Sequence, residues 1–372
     1  MHLSRRRFFQ SSFAATAAAL AAPRELLAFT EPQRTPQPGG AILLNGNENA
    51  YGAWPSLIES MKDALSLAHR YPDNAYDPLT QRIAALHRVL PEQVILGCGS
   101  GEILRICAEA FTTPELGLVT AAPTFEALGH HVRSRGHRVT QVRLNADHQH
   151  DVAKMTEAAS GQTGLIYICN PNNPTASITP RSAIESLISG LKGKELVLID
   201  EAYHHFALSS PEYVSFLDKP FASDRVIVAR TFSKIYGLAG VRIGYAVASR
   251  DIAARMQRFA LPDSLNVVGA RTATAALADT DGLAFAIKRN AADRDEFLRQ
   301  AKQRNIQTIP SQGNFVMVDT GRPVRQAIAH FRQNNILIGR PFPPYETHAR
   351  ISLGKPDEMV AFWKVWDKLG TA

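Results

Sequence analysis

Short apolar runs recur through the middle of the chain, with polar and turn-forming segments between them. Strand-like runs fall near residues 94–96, 116–120, 138–142, 164–168, 196–199, 226–229 and 244–248, separated by helix-like stretches. Short, almost wholly apolar runs fit strands buried on both faces of a parallel sheet, and their alternation with helices is the α/β pattern. Past about residue 266 the pattern changes to long helices at 270–277 and 283–303, followed by strand-like 314–318 and 349–353. A chain of 372 residues can bury a large core and form about two domains. The expected division is a large domain at 56–265, with a mostly parallel seven-stranded sheet flanked by helices. A smaller α+β domain is expected from 42–55 and 266–372. No internal repeat is visible.

Three of the apolar runs end in chemistry. The run at 164–168 leads into Asn170-Pro171-Asn172-Asn173-Pro174-Thr175, which its two prolines restrict to a turn. The run at 196–199 ends in Asp200-Glu201-Ala202-Tyr203. The run at 226–229 ends in Arg230-Thr231-Phe232-Ser233-Lys234, with Arg242 a little beyond. Ligands of a parallel α/β sheet bind at the carboxyl ends of its strands, so Asn170, Asp200 with Tyr203, and Lys234 reach one edge. A lysine amine forms Schiff bases with carbonyls, pyridoxal phosphate included. Thr231, Ser233 and Arg242 are donors of the type an anchoring phosphate needs. On a pyridoxal ring, Asp200 can pair with the ring nitrogen and keep it protonated and electron-withdrawing. Asn170 and Tyr203 can donate to the phenolic oxygen, and Lys234 can move a proton between the substrate Cα and the cofactor. Singly, each residue has an ordinary reading: Lys234 as a solvated lysine, Asp200 as a helix N-cap, Asn170 as a turn residue, Tyr203 as core packing. All of them together, in this order, favour the site.

With these motifs, and with Arg350-Ile351-Ser352-Leu353-Gly354 near the C-terminus, the chain resembles the fold-type-I pyridoxal-phosphate aminotransferases (class I/II) over residues 40–368. Within them it looks like the histidinol-phosphate aminotransferase family. The resemblance implies that Lys234 is the Schiff-base lysine, Asp200 the partner of the ring nitrogen, and Asn170 and Tyr203 the donors to the phenolic oxygen. Arg350 matches the arginine that takes the substrate carboxylate. The glycine-rich turn before the helix-like stretch from Ile103 matches the family's phosphate cup, with Ser100 and Gly101 contributing backbone; alone it is an ordinary strand–helix connection. Phe125 matches the aromatic that stacks on the ring, although an isolated Phe after a strand also reads as core. Tyr71 resembles a tyrosine that reaches the cofactor phosphate of a neighbouring subunit, which implies a homodimer. The implied activity is ping-pong transfer of an amino group between a donor, histidinol phosphate or an aromatic or other amino acid, and a 2-oxo acid such as 2-oxoglutarate. Decarboxylation, a lyase reaction or racemisation on the same fold, or a non-catalytic pyridoxal-phosphate-binding protein, are the alternatives. Three departures stand out. Residues 35–39 lack the tyrosine the family uses for a substrate phosphate, 261–267 differ from its usual proline-rich segment, and Ala176 stands where glycine is usual.

The N-terminus carries a twin-arginine pattern in Ser4-Arg5-Arg6-Arg7-Phe8-Phe9, then an Ala-rich apolar segment from Phe13 to Ala22 and small-residue cleavage options after Ala21 or Ala28. This is the layout of a twin-arginine signal at 1–28, followed by a Pro/Gly linker at 29–41, and it predicts periplasmic or exported protein delivered by the twin-arginine machinery. A basic amphipathic helix or a tail is the other reading. The net charge is +7, of which residues 1–28 supply +3 from four arginines and one glutamate, leaving +4. That excess, without a long basic run, does not point to nucleic acid. Cys98, Cys107 and Cys169 have no zinc-like spacing, and two of them adjoin the candidate turns. His204 and His205 diverge as neighbours and cannot share a metal; one of them lining the substrate pocket or both packing in the core are the open readings.

Overall fold

The computed structural model describes residues 40–159 and 161–370, the side chain of Asp73 excepted. The expected signal at 1–28, nearly all of the linker at 29–41 and the departure at 35–39 lie outside the described residues. Residues 42–372 form one compact unit. Along it run β1 (Ile42–Leu44), α1 (Pro55–Leu65), α2 (Asp73–His87), β2 (Val94–Gly97), α3 (Ser100–Phe111), β3 (Gly117–Ala122), α4 (Ala127–Ser134), β4 (Val139–Arg143), α5 (Val152–Ala158), β5 (Thr163–Cys169), α6 (Arg181–Gly190) and β6 (Leu196–Asp200). There follow β7 (Val226–Thr231), β8 (Gly244–Val247), α7 (Arg250–Gln257), α8 (Val267–Ala278), α9 (Thr280–Gln303), β9 (Phe315–Asp319), α10 (Val324–Gln333), β10 (Ile336–Ile338), β11 (His348–Ser352) and α11 (Pro356–Trp366).

Seven strands form one sheet in the order β2-β8-β7-β6-β5-β3-β4. The strands from β7 to β4 run parallel, and β8 alone is antiparallel to both of its neighbours. All seven apolar runs are strands of this sheet. The apolarity of the central strands follows from cover on both faces; β4, at the sheet edge, is largely polar and only partly buried. In β5 every residue is buried; Ile166 and Ile168 pack into one core with α2 and α6, while Leu165, Tyr167 and Cys169 pack into another with α3 and α7.

Two small sheets pair β1 with β10 and β9 with β11. They share a third core containing Leu44, Val316, Phe331, Ile351 and Phe362. Helix α9, 24 residues long, spans about 36 Å at 1.5 Å per residue. Its Ala286 and Ile287 pack on the first core, while Phe297 and Ala301 lie in the third. Helix α8 buries Val267, Ala270 and Ala273 in the first core with Leu57 of α1. The parallel strands end together: Cys169 pairs with Asp200, and Asp200 with Ala229. The residues beyond them therefore emerge at one edge of the sheet.

Candidate active site

At that edge lies a cavity of about 310 Å³. Ser100, Gly101, Phe125, Asp200, Tyr203, Thr231, Ser233, Lys234, Arg242 and Arg350 all line it. Lys234 follows β7 directly, and its Nζ donates to the backbone oxygens of Asn47 (3.2 Å) and Gly46 (3.4 Å). Burial, and then the Arg350 guanidinium, hold its amine down to about 8. That makes the neutral, nucleophilic form more available than in an ordinary lysine. Asp200 is 2% exposed, and burial pushes its carboxyl up to about 6. Tyr203 lies under the lysine, with Nζ 5.7 Å from its ring centroid. Asn47 Nδ2 donates to Tyr203 Oη at 3.0 Å, which leaves the phenolic proton free to be donated elsewhere.

A phosphate cradle closes one end. The N-terminus of α3 begins at Ser100, after Gly99 with φ +73°. A Cβ on Gly99 would stand 2.2 Å from Arg242 Nη2, and one on Gly244 would stand 2.3 Å from the Ser100 nitrogen. Only glycine at both positions lets the helix end, the arginine and β8 converge. Thr231 Oγ1 and Ser233 Oγ are 2.9 Å apart, and Arg242 Nη1 reaches Ser233 Oγ at 3.3 Å. Arg242 itself has φ +61°, a conformation of low population that this local packing enforces. Free helix N–H groups, two hydroxyls and a guanidinium make an anion site.

The opposite end is built around Arg350 of β11, which is 8% exposed. Its Nη1 donates to Asn173 Oδ1 (2.7 Å) and its Nη2 to the Asn45 oxygen (2.6 Å), while its buried Nε has no partner. The ring of Phe342 lies 4.8 Å from the guanidinium carbon and that of Phe315 5.6 Å away. Burial pushes this arginine down to about 10. An orphan N–H on a buried cation is a seat for an anion.

Two expected site residues are not in the cavity. Asn170 is a correction. Its Nδ2 donates to the Thr179 oxygen at 3.0 Å and its Oδ1 accepts from the Thr179 nitrogen at 2.9 Å, so both amide atoms serve the turn. Asn173, three residues later, lines the cavity instead, and its bond to Arg350 leaves Nδ2 uncommitted. The sequence offered three asparagines within one turn, and spacing alone does not show which of them faces the ligand. Tyr71 is 80% exposed and lies outside its own chain's cavity.

Sequence reasoning also passed over residues 45–49, Asn-Gly-Asn-Glu-Asn, which form the wall over Lys234. Asn47 has φ +52° and bonds Ser352 through both its backbone nitrogen and its Oδ1. A polar, asparagine-rich run directly after an apolar strand was the available signal. Of the cysteines, Cys169 lines the cavity, Cys107 is buried in α3 and Cys98 is partly exposed; all three are free. Ala176 has φ +55°, which explains why glycine is usual there: the conformation costs an L-residue about 1–2 kcal/mol.

His204 and His205 do not line the cavity. His204 Nδ1 bonds Tyr213 Oη (3.1 Å), and His205 Nε2 lies 3.4 Å from Tyr236 Oη. Among the described residues no His, Cys, Asp or Glu group is arranged to hold a metal ion. Burial holds His204 well below its usual value, and brings His87 and His205 to about 3 and His150 to about 4. Each folded value lies below the unfolded one. The fold therefore keeps its full stability above about pH 6.5 and loses it as pH falls, by about 2 kcal/mol per histidine at pH 5. Asp200, whose folded value is raised, acts in the opposite sense and offsets roughly one histidine. The urea midpoint is expected to drop clearly between pH 7.5 and pH 5; an unchanged or higher midpoint at pH 5 would contradict this.

The residues fit pyridoxal phosphate: an anion cradle at one end, a softened amine in the middle, a buried carboxylate on the floor and an orphan guanidinium N–H for a substrate anion. The comparisons agree. The model of the family Aminotransferase class I and II matches residues 40–362. A histidinol-phosphate aminotransferase of Shouchella clausii (strain KSM-K16) is 32% identical over 324 residues, covering 86% of this chain and 87% of its own. An aromatic amino acid aminotransferase of Mycobacterium sp. (strain KMS) is 32% identical over 345 residues, covering 91% and 94%. The structure of histidinol-phosphate aminotransferase from Sinorhizobium meliloti, in complex with pyridoxal-5'-phosphate, matches with a TM-score of 0.82 at 27% identity, covering 89% of this chain and 92% of that one. This chain belongs to the class I and II aminotransferases, pyridoxal-phosphate-dependent enzymes of fold type I.

Proposed function

We propose that this aminotransferase moves the amino group of an anionic, ring-bearing donor, histidinol phosphate or an aromatic amino acid, onto a 2-oxo acid such as 2-oxoglutarate. The observation that carries this reading is the buried Arg350, which lines the cavity of Lys234 with its Nε unpartnered; the rings of Phe315 and Phe342 flank it outside the cavity lining, and the ring of the donor is drawn from the relatives. The relatives named above point to the same pair of donors.

The bound cofactor would supply an electron sink for the carbanion formed at the substrate Cα. The protein residues do the rest. Lys234 holds the cofactor and, once released by substrate, carries the proton to and from Cα. Its lowered affinity for that proton suits a group that both takes and returns it. Asp200 would keep a positive charge on the ring nitrogen. Tyr203 and Asn173 would donate to the phenolic oxygen, Asn173 taking the role first assigned to Asn170. Thr231, Ser233, Arg242 and the start of α3 would anchor the phosphate, and Phe125 would cover the ring. Arg350 orients the donor through its carboxylate or phosphate, a geometry that converts a bimolecular encounter into an intramolecular one.

The test is a half-reaction screen of cofactor-loaded enzyme against histidinol phosphate, the aromatic amino acids, glutamate and aspartate. Loss of the visible band of the lysine-bound cofactor is expected with histidinol phosphate or an aromatic amino acid. Conversion by aspartate or glutamate alone would refute the donor class, and conversion by none of them would refute amino transfer.

Two wider features belong to the same proposal. Tyr71, exposed on its own chain, completes the site of a second copy, so that light scattering should find a dimer. The twin-arginine segment exports the folded, loaded enzyme, so that fractionation should find it in the periplasm and Arg5→Lys with Arg6→Lys should hold it in the cytoplasm.

A further inference from the structure

Tyr167 is a residue that none of the site motifs contains. It sits within β5, three positions before the Asn170 turn, and is wholly buried. In register it pairs with Leu198 of β6, and both side chains face the core shared with α3. Two residues further along β6, on that same face, stands Asp200. A long side chain reaches such a diagonal neighbour, and Tyr167 Oη donates to Asp200 Oδ2 at 2.9 Å. The other oxygen, Oδ1, accepts from the Ala202 nitrogen at 3.1 Å. Each carboxylate oxygen thus has one fixed donor, and the carboxylate still opens on the cavity. The other ionisable groups that bear on it are Glu201, Lys234, the phenol of Tyr203 and the buried thiols of Cys107 and Cys169. Of these only Lys234 favours the charged form, and its amine is engaged by Gly46 and Asn47.

We propose that Tyr167 is a positioning residue: its hydroxyl fixes the orientation and the ionised state of Asp200, and through Asp200 sets how firmly the cofactor ring nitrogen holds its proton. The inference rests on Asp200 being the ring-nitrogen partner. A phenol donating to a carboxylate is a charge-assisted bond and stabilises only the ionised acceptor fully. Burial already pushes Asp200 towards its neutral form, and the Tyr167 bond opposes that push. Without the hydroxyl, Oδ2 is a buried acceptor with no partner. The carboxylate then turns away or takes a proton, and in either case the ring nitrogen loses its anion.

The test is Tyr167→Phe, which keeps the ring volume, in holoenzyme loaded with cofactor labelled with 15N in the ring. Tyr213→Phe is the control, since Tyr213 is a buried tyrosine whose hydroxyl meets His204 instead. Melting of each protein reports its fold. The expected result for Tyr167→Phe is a 15N resonance displaced towards the unprotonated position and kcat lowered ~10–100-fold, the range of a hydrogen bond to a charged group. The donor KM should change little, and Tyr213→Phe should leave the resonance in place. Asp200→Ala separates two kinds of failure. A resonance displaced by Asp200→Ala but not by Tyr167→Phe would overturn the positioning role and leave that of Asp200 standing. A resonance unmoved by either would overturn the assignment of Asp200 itself, and the present inference with it.

Discussion

Lys234→Ala is expected to abolish turnover, lowering kcat by about 10⁴-fold or more. Proton transfer by a positioned side chain contributes about 10²–10⁴-fold, and the same substitution removes the covalent attachment of the cofactor. No neighbouring group substitutes: the nearest cations, Arg350 and Arg242, stay protonated and cannot act as bases. The change should leave the fold intact. The lysine's bonds to the protein are two long ones, at 3.2 and 3.4 Å, to backbone oxygens at the cavity. Thermal melting of the variant should therefore resemble that of the parent, while steady-state assays with the best donor find no activity. A variant retaining more than about a hundredth of parental activity would show the proton to be carried elsewhere.

Asp200→Ala is the second large effect. The carboxylate is buried and bonded by Tyr167 and the Ala202 nitrogen, and the positive ring nitrogen would be its main partner. Removing one member of a buried charge pair costs about 3–5 kcal/mol, or roughly 10²–10⁴-fold in rate where the charge matters most in the transition state. Both the affinity for cofactor and kcat should fall, kcat more steeply. Equal kcat in parent and variant would refute the role, and a loss of fold would point to a structural one.

The sheet was legible because parallel strands covered on both faces have no polar alternation to blur them: 164–168 and 196–199 are apolar, the first buried throughout and the second from Val197 onward. Three-residue β10 was not legible, since its pairing with β1 joins residues nearly 300 positions apart and no local pattern encodes that. Strand ends carrying Asp200, Thr231 and Lys234 were legible as chemistry because such residue types make poor core. Asn170 and Asn173 could not be told apart, because a turn with two prolines reverses direction within a few residues and local spacing does not say which amide points inward. Tyr167 was hidden for the converse reason: an aromatic inside an apolar strand looks like packing, and its hydroxyl's bond to Asp200 depends on the register of a neighbouring strand. The wall at 45–49 reaches Lys234 from some 190 residues upstream, a contact made by the fold alone.

The most direct test of the central account is reductive trapping of the cofactor on the protein. Holoenzyme is treated with borohydride and digested, and the cofactor-bearing peptide is identified by mass spectrometry, with and without prior exposure to an amino donor in the absence of a 2-oxo acid. The account predicts the label on Lys234 alone without donor, and its loss after donor, because the amino group has passed to the cofactor and freed the lysine. A label on another lysine, or a label on Lys234 that persists after every donor in the panel, would contradict it.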